Sequence, residues 1–425
     1  MRKKVATTIL SLFIILPAFA QKVLELSNPT NLQRSDELVI IKRSDMKIAL
    51  TAAKPYLSVI AGDKKLPVQY DDFNGDGIWD EAVLLYTFSP MEKLSLKISP
   101  SDKKLPADKV MAHIRHMRKN VDNSFGPNLN TDSIPTGQPN TDFSKEKLPP
   151  FLTEGPAWEN DKVGFRLYFD VRNGKDIWGK TTSKMMMDTV GVDPSVIYHH
   201  QADWGMDIYK VGTSLSAGAL AINIKLKDGK DSLIRLGGRN MGKVIYHKIA
   251  DGPYRAVFRL TYPEWKFASG YEPISITEKI SIWGGQYFYK SDIMVEHAPD
   301  KSSLVTGFAD LFNIPSGEIK GKNTNVVYAY GLQSENHDQL GLAIMATKSD
   351  FISFGKTATT DKDVKNSYLV SLKMPEKGKQ TGFKFYSAWE PSNQQFKSRD
   401  SFVKYLNNQV LNNDQPIIYE VEIVR

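Results

Sequence analysis

The chain has no cysteine in its 425 residues. Disulfides are therefore excluded, and stability has to come from core burial. The lipoprotein route is closed as well, since no cysteine follows the candidate cleavage site described below. Histidine is scarce at seven residues; His199 and His200 are adjacent and the others too scattered to give a zinc-ligand spacing. Charge of one sign is also nearly lacking. Of the net +7, Arg2, Lys3 and Lys4 supply three, which leaves +4 (7 − 3 = 4) on the rest. So small an excess does not imply nucleic acid, and it fits an anionic partner such as a uronic-acid glycan as well as it fits an ordinary surface. There is no internal repeat and, apart from one Pro/Asn-rich stretch, no low-complexity tract.

The start of the chain is informative. Arg2, Lys3 and Lys4 precede the apolar run Val5 to Leu16, and Ala18-Phe19-Ala20 is a small-x-small cleavage site ahead of Gln21. The run is too short to cross a hydrocarbon core of ~30 Å, which takes ~20 apolar residues. Residues 1–20 are thus expected to be a signal peptide cleaved after Ala20, with the mature protein in the periplasm or secreted and without a membrane anchor.

Short apolar runs punctuated by turn residues fill residues 21–120: Leu38 to Ile41, Lys47 to Leu50, Leu57 to Ala61 and Ala82 to Tyr86. They predict a small antiparallel β-sandwich. Met111 to Arg118 fits a helix or a strand, and His113 and His116 within it are expected to be solvated. Residues 121–152, rich in Pro, Asn, Asp and Ser, are expected to be a linker or a loop packed on the surface. Residues 153–425 predict a larger β-sandwich that would bind or process a glycan. There Val163, Phe165, Leu167, Phe169 and Val171 alternate with Gly164, Arg166, Tyr168, Asp170 and Arg172, giving one apolar and one polar, aromatic face. Further strands are expected at Leu220 to Leu226, Ala256 to Tyr262, Ile274 to Ile282 and Gln286 to Glu296, and a last one at Ile417 to Val424. One amphipathic helix, Arg399 to Asn412, follows from Phe402, Leu406 and Val410 behind a Ser398 N-cap. The fold class read from this pattern is all-β, with no βαβ unit.

Several stretches carry chemistry. Asp72, Asn74, Asp76 and Asp80 occupy positions 1, 3, 5 and 9 of a calcium-type loop with Gly77 at position 6, but Val83 stands where position 12 needs a bidentate glutamate. A structural Ca2+ is one reading and a tight hairpin turn the other; no cofactor is required by the rest of the chain. Trp158, Arg166, Tyr168, Asp170, Arg172 and Lys180 combine ring faces for sugars with cations for carboxylates, or else are core and solvated charge. Arg255 and Trp265 sit at the ends of a strand as weaker binding candidates. The densest stretch is Tyr198 to Asp207, with His199, His200, Asp203, Trp204 and Asp207. Either histidine could move a proton, oriented by Asp207 or Asp203. Glu278 shares parity with Ile274, Ile276, Ile280 and Ile282, so a regular strand turns it toward the apolar face, where a raised pKa would suit a glycosidase acid; a bulge would instead release it.

In order, DDFNGDGIWDE, EGPAWEN, GFRLYFDVRNGKDIWGK, YHHQADWGMDIYKVGTSLSAG and DGPYRAVFRLTYPEW resemble the secreted Bacteroidota family known as domain of unknown function 4861, over most of the chain. The resemblance implies a periplasmic protein encoded among polysaccharide-utilisation genes, with a galactose-mutarotase-like supersandwich, and it supplies no catalytic residues. The residues themselves suggest an enzyme for an acidic oligo- or polysaccharide. As a lyase it would use His199 or His200 as base and Arg166, Arg172 or Lys180 against the substrate carboxylate. As a hydrolase it would pair Glu278 with Glu159 or Asp207. A non-catalytic glycan-binding protein, holding sugar on Trp158 or Trp204, and a mutarotase-like epimerase are the alternatives.

Overall fold

A computed structural model describes residues 22–46, 48, 50–358 and 361–423. The expected signal segment lies outside them, as do Lys47 and Ala49 of the expected Lys47 to Leu50 strand and Val424 of the last one. Strands with alternating burial, such as Lys22–Ser27 and Ile274–Trp283, together with continuously buried ones, such as Val163–Leu167 and Lys175–Lys180, make an all-β chain of five antiparallel sheets, with one long helix.

Two sheets make a small sandwich. In one, Lys22–Ser27 lies between Ile418–Ile423 and Lys93–Ser101, followed by Tyr56–Ala61 and Lys64–Leu66; in the other, Arg34–Lys42 and Gln69–Asp71 flank Glu81–Phe88. Leu24, Leu26, Val39, Ile41, Val59, Leu84 and Leu96 form its core. The C-terminal strand, expected to belong with residues 153–425, instead pairs Ile418 with Ser27 and Tyr419 with Leu26. The reason is an otherwise unpaired edge at the first strand, which the end of the chain covers.

The large sandwich sets a nine-stranded sheet against two five-stranded ones. The nine-stranded sheet includes Gln339–Thr347, Thr381–Trp389, Phe288–Glu296, Ile274–Trp283, Arg255–Trp265 and Val244–Asp251 in that order. One opposing sheet runs Gly205–Asp207, Lys175–Lys180, Val163–Leu167, Ala157–Asn160 and Ala112–Arg115; the other centres on Ser303–Ala309. A single core, with Phe165, Ile177, Ile222, Phe258, Ile280, Tyr289 and Leu304, joins all three. The helix Arg399–Asp414 is capped by the Ser398 hydroxyl, which accepts from the Ser401 N–H, and it buries Phe402, Leu406 and Val410 against Tyr328, Tyr330 and Met345.

Between residues 111 and 152 one open reading is resolved and others are corrected. Ala112–Arg115 is a strand, and Thr131–Ile134, inside the stretch read as linker or surface loop, is the edge strand next to Val244–Asp251. A hydrogen bond fixes it: His116 Nε2 meets Asp132 at 2.8 Å, with the ring stacked on Phe151 at 5.3 Å. His116 is thus buried rather than solvated, because burial holds its pKa down while Asp132 supplies the partner the ring needs.

The two layers of the large sandwich are also clamped by charge. Lys175 Nζ donates to Glu278 at 2.6 Å and to the Gly218 carbonyl at 2.9 Å, Ser291 Oγ donates to Glu278 at 2.6 Å, and Lys175 and Glu278 are both buried. Removing one partner leaves an uncompensated charge in the core. Glu278→Leu should therefore lose ~3–5 kcal/mol in urea unfolding, whereas Lys175→Met with Glu278→Leu should recover most of that loss. Additive losses in the double variant would show that the pair is not coupled.

Candidate functional site

The outer face of the sheet that carries Val163–Leu167 is built by alternation. Phe165, Leu167 and Ile177 point into the core, so Arg166, Asp176 and Trp178 point out. Register does the rest: Arg166 pairs across to Asp176, and Trp178 pairs across to Asp207. The edge strand reaches that position only because residue 205 is glycine. Its φ is 127°, and a Cβ there would stand 1.8 Å from the Gly179 carbonyl oxygen.

Arg166 is the centre of this face. Its Nη2 donates to Asp207 at 2.6 Å, Asp176 at 3.0 Å and the Tyr168 hydroxyl at 2.9 Å, and its Nη1 donates to the Tyr198 hydroxyl at 3.3 Å. Tyr168 in turn donates to Asp176 at 2.6 Å. The guanidinium carbon lies 4.7 Å from the Tyr168 ring centroid and 4.9 Å from that of Trp178. Burial, reinforced by the neighbouring Asp176, pushes the Asp207 carboxyl well above the usual range, with Arg166 opposing.

Residues 181–204 lie over the same face. Glu159, buried, accepts from the Met186 and Met187 N–H groups at 2.6 and 2.7 Å and pairs with Lys180, whose Nζ also reaches the carbonyls of Asn160 and Lys184. Arg115, equally buried, donates to the Met187, Leu152 and Gly155 carbonyls and to Thr153 Oγ1. Trp178 packs edge-on against Tyr198 at 5.3 Å and tilted against Trp204 at 5.8 Å. Thr153 and Glu154 hold left-handed backbone (φ 45° and 69°), a cost met where Arg115 grips Thr153 and Arg172 grips Glu154 at 2.6 Å.

Above this layer His199 remains 52% exposed, with Nδ1 3.5 Å from Asp207 Oδ2. Burial and then Arg166 hold the imidazole below its ordinary value of 6.5, so it is the neutral base at neutral pH. His199 lines a cleft of about 170 Å³ with Tyr198, Ile197, Phe143 and Lys147. His200, also exposed, lies in the adjoining turn.

Comparison with known proteins was informative at the level of family. A profile described as a domain of unknown function, DUF4861, matches residues 26–418. The chain belongs to the DUF4861 family. It is 27% identical over 286 residues to an uncharacterized protein of Formosa agariphila, covering 63% of this chain and 67% of that one. Among solved structures, an alpha-mannosidase from Enterococcus faecalis aligns with 96% of this chain and 47% of its own, at 10% identity and TM-score 0.45. A glycosyl hydrolase family 38 protein of the same organism aligns with 96% and 48%, at 10% identity and TM-score 0.42. The chain spans about half the length of either structure.

In this DUF4861 protein the residues singled out by sequence separate into groups. Arg166, Tyr168, Asp207 and His199 converge, and Trp204 packs beside them. Asp170 and Arg172 pair with each other, and Arg172, 34% exposed, lines a neighbouring cleft of about 290 Å³ with Tyr168 and Arg235. Other placements correct the expectation. Trp158 and Trp265 are core: the first packs against Phe165, Phe258 and Tyr289, the second against Phe267, and neither has a face for a sugar. Glu278 does face inward as its parity requires, but it neutralises Lys175 on the opposite side of the sheet from Arg166. Glu159 and Lys180 neutralise each other beneath residues 181–204. Arg255 pairs with Asp71 and with Glu81 at 2.8 Å, toward the small sandwich. In the Asp72 to Asp80 loop, Asp72 accepts from Gly75 and Gly77, Asn74 from Asp76, Asp76 from Ile78 and Asp80 from Phe73. These are hairpin-turn contacts, and no acidic or histidine group suited to a metal occurs among the described residues.

Sequence reading missed Phe143, Lys147 and His113. The first two sit in a stretch whose composition suggests no site, although the run Phe143-Ser144-Lys145-Glu146-Lys147 stands out there as aromatic and charged. His113, far from solvated, lies 2.9 Å from both Asp188 and Asp251. Burial works against its charge, but the two carboxylates outweigh it and hold the imidazolium up to about 9. Asp188 belongs to residues 181–204 and Asp251 to the nine-stranded sheet, so the imidazolium ties one to the other. Because the folded value lies above the unfolded 6.5, this contribution is complete below 6.5 and lost as pH rises through about 9. Limited proteolysis within residues 181–204 should accelerate over that window, and His113→Ala should give the fast rate already at neutral pH.

Proposed function

We propose that this protein is an exported carbohydrate-active enzyme that cleaves a uronic-acid-containing oligosaccharide by elimination, with His199 as the base. The observation that carries this reading is the position of His199: half exposed, backed by Asp207, and lining one cleft with Lys147. Export is supported by the charged and apolar pattern of residues 2–20. In the reaction His199 takes the proton from the carbon beside the uronate carboxylate. The released electron pair becomes the new C=C bond as the glycosidic C–O bond breaks, and the leaving oxygen takes a proton from solvent. Lys147, exposed and free of any ion pair among the described residues, neutralises the carboxylate as negative charge develops on it. Arg166 and Lys180 do not take that role, because both are buried and already paired with carboxylates of the protein.

Hydrolysis by a carboxylate pair is disfavoured, since Glu278 and Glu159 are each locked to a buried lysine. A glycan-binding protein without chemistry is the second reading, supported by Phe143 and Ile197, both exposed at the cleft.

The test is the ultraviolet absorbance of the unsaturated product on uronate-containing oligosaccharides. His199→Ala should lose at least ~10²-fold in rate, while His200→Ala stays within about threefold of wild type. As pH falls, the wild-type rate should drop at a lower pH than an ordinary imidazole of 6.5 would give, because burial and Arg166 hold the base neutral further into acid. An unchanged rate in His199→Ala would overturn the assignment. Binding that weakens in Phe143→Ala, with no product from wild type, would establish the second reading instead.

A further inference from the structure

A second cavity, of about 430 Å³, lies where the small sandwich, the outer face of the nine-stranded sheet and the long helix meet. Its volume falls within the ~300–1,000 Å³ typical of small-molecule sites. The lining is rich in amides. Asn408, Gln409 and Asn412 come from the helix, and the part-buried ring of Trp283 comes from the sheet. Among the described residues the Asn412 Oδ1 is buried without a hydrogen-bond partner, and Gln409 is engaged through its Oε1 alone, by Tyr386 at 3.4 Å. Amides with unused donors and acceptors beside an indole are the groups that read sugar hydroxyls and cover a ring face.

Lys384 supplies the charge. Its Nζ contacts Asn413 Oδ1 at 3.2 Å and lies 5.0 Å from the Phe288 ring centroid, and among the described residues no carboxylate is within ion-pair distance. The acids nearby are already committed, Glu37 to Arg34 and Asp292 to Lys290, each at 2.9 Å. Desolvation, with Lys290 and Arg34 adding to it, brings the Lys384 ammonium down to about 8. A largely desolvated cation without an anion is unfavourable, and a ligand carboxylate would complete it.

We propose that this cavity is a second saccharide site, which binds a uronate residue with its carboxylate on Lys384, its hydroxyls on the helix amides and its ring against Trp283. The site is separate from His199 and does not depend on the elimination chemistry, although the ligand class is the same. Occupied by one residue of a longer acidic glycan, it would hold the polymer on the enzyme and raise the local concentration of cleavable bonds.

Calorimetric titration of the full chain with sodium glucuronate and with sodium galacturonate, using glucose as the neutral control, tests this. Wild type and His199→Ala should bind at least one uronate equally, and glucose at least ~tenfold more weakly. Lys384→Met should lose ~tenfold or more in uronate affinity while its unliganded melting temperature stays the same or rises, since an unpaired charge has been removed. Asn412→Leu should weaken uronate and glucose alike. Undiminished uronate binding by Lys384→Met, or no uronate binding by wild type, would overturn the proposal. Loss of binding in His199→Ala but not in Lys384→Met would place the uronate at the other cleft, so the two readings fail separately.

Discussion

One guanidinium organises the outer face of the site-bearing sheet. Arg166 is buried among Asp207, Asp176, Tyr168 and Tyr198, and it is the shared cation that lets two carboxylates stay in an interior where neither would persist alone. Three of its contacts fix different segments: Asp176 the neighbouring strand, Asp207 the edge strand and Tyr198 the turn that carries His199. The position of His199 is therefore inherited from the network packed beneath it. Such a network is costly to break, because removing any member leaves a buried group unpaired.

The neighbours Lys175 and Asp176 show how much work the pleat does. Consecutive side chains in a strand point to opposite faces, so one goes inward to Glu278 and holds the two layers together, while the other goes outward to Arg166 and builds the site. A shift of one residue in register would exchange them, placing a lysine in the Arg166 cluster and a carboxylate opposite Glu278. Both exchanges bring like charges together, so the charges specify register here as strongly as the apolar pattern does.

Periodicity made much of this legible in advance. The alternation from Val163 to Leu167 and from Ile274 to Ile282, and the spacing of Phe402, Leu406 and Val410, led directly to strands, helix and core faces. What sequence did not reveal was partnership across long separations. Glu278 reads as a candidate acid until Lys175, 103 residues away, is seen to neutralise it. Lys180 and Glu159 read as ligands for the same reason, and His113 reads as solvated because Asp188 and Asp251 are distant in the chain. A charged residue alone gives no sign of whether its counterion is protein or substrate.

That distinction sets where specificity can reside. Arg115, Arg166, Lys175 and Lys180 are all buried and already engaged by protein acceptors, so among the described residues these strands present no exposed, unpaired cation here. The groups left to meet a ligand lie in the irregular segments: Phe143 and Lys147 between the strands Thr131–Ile134 and Ala157–Asn160, and Ile197 and His199 in the segment over the sheet. Loops accept substitution more readily than the pleated layers beneath them. On the proposed reading, the Arg166 network holds His199 in place, and residues 141–149 and 191–200 decide which acidic sugar reaches it.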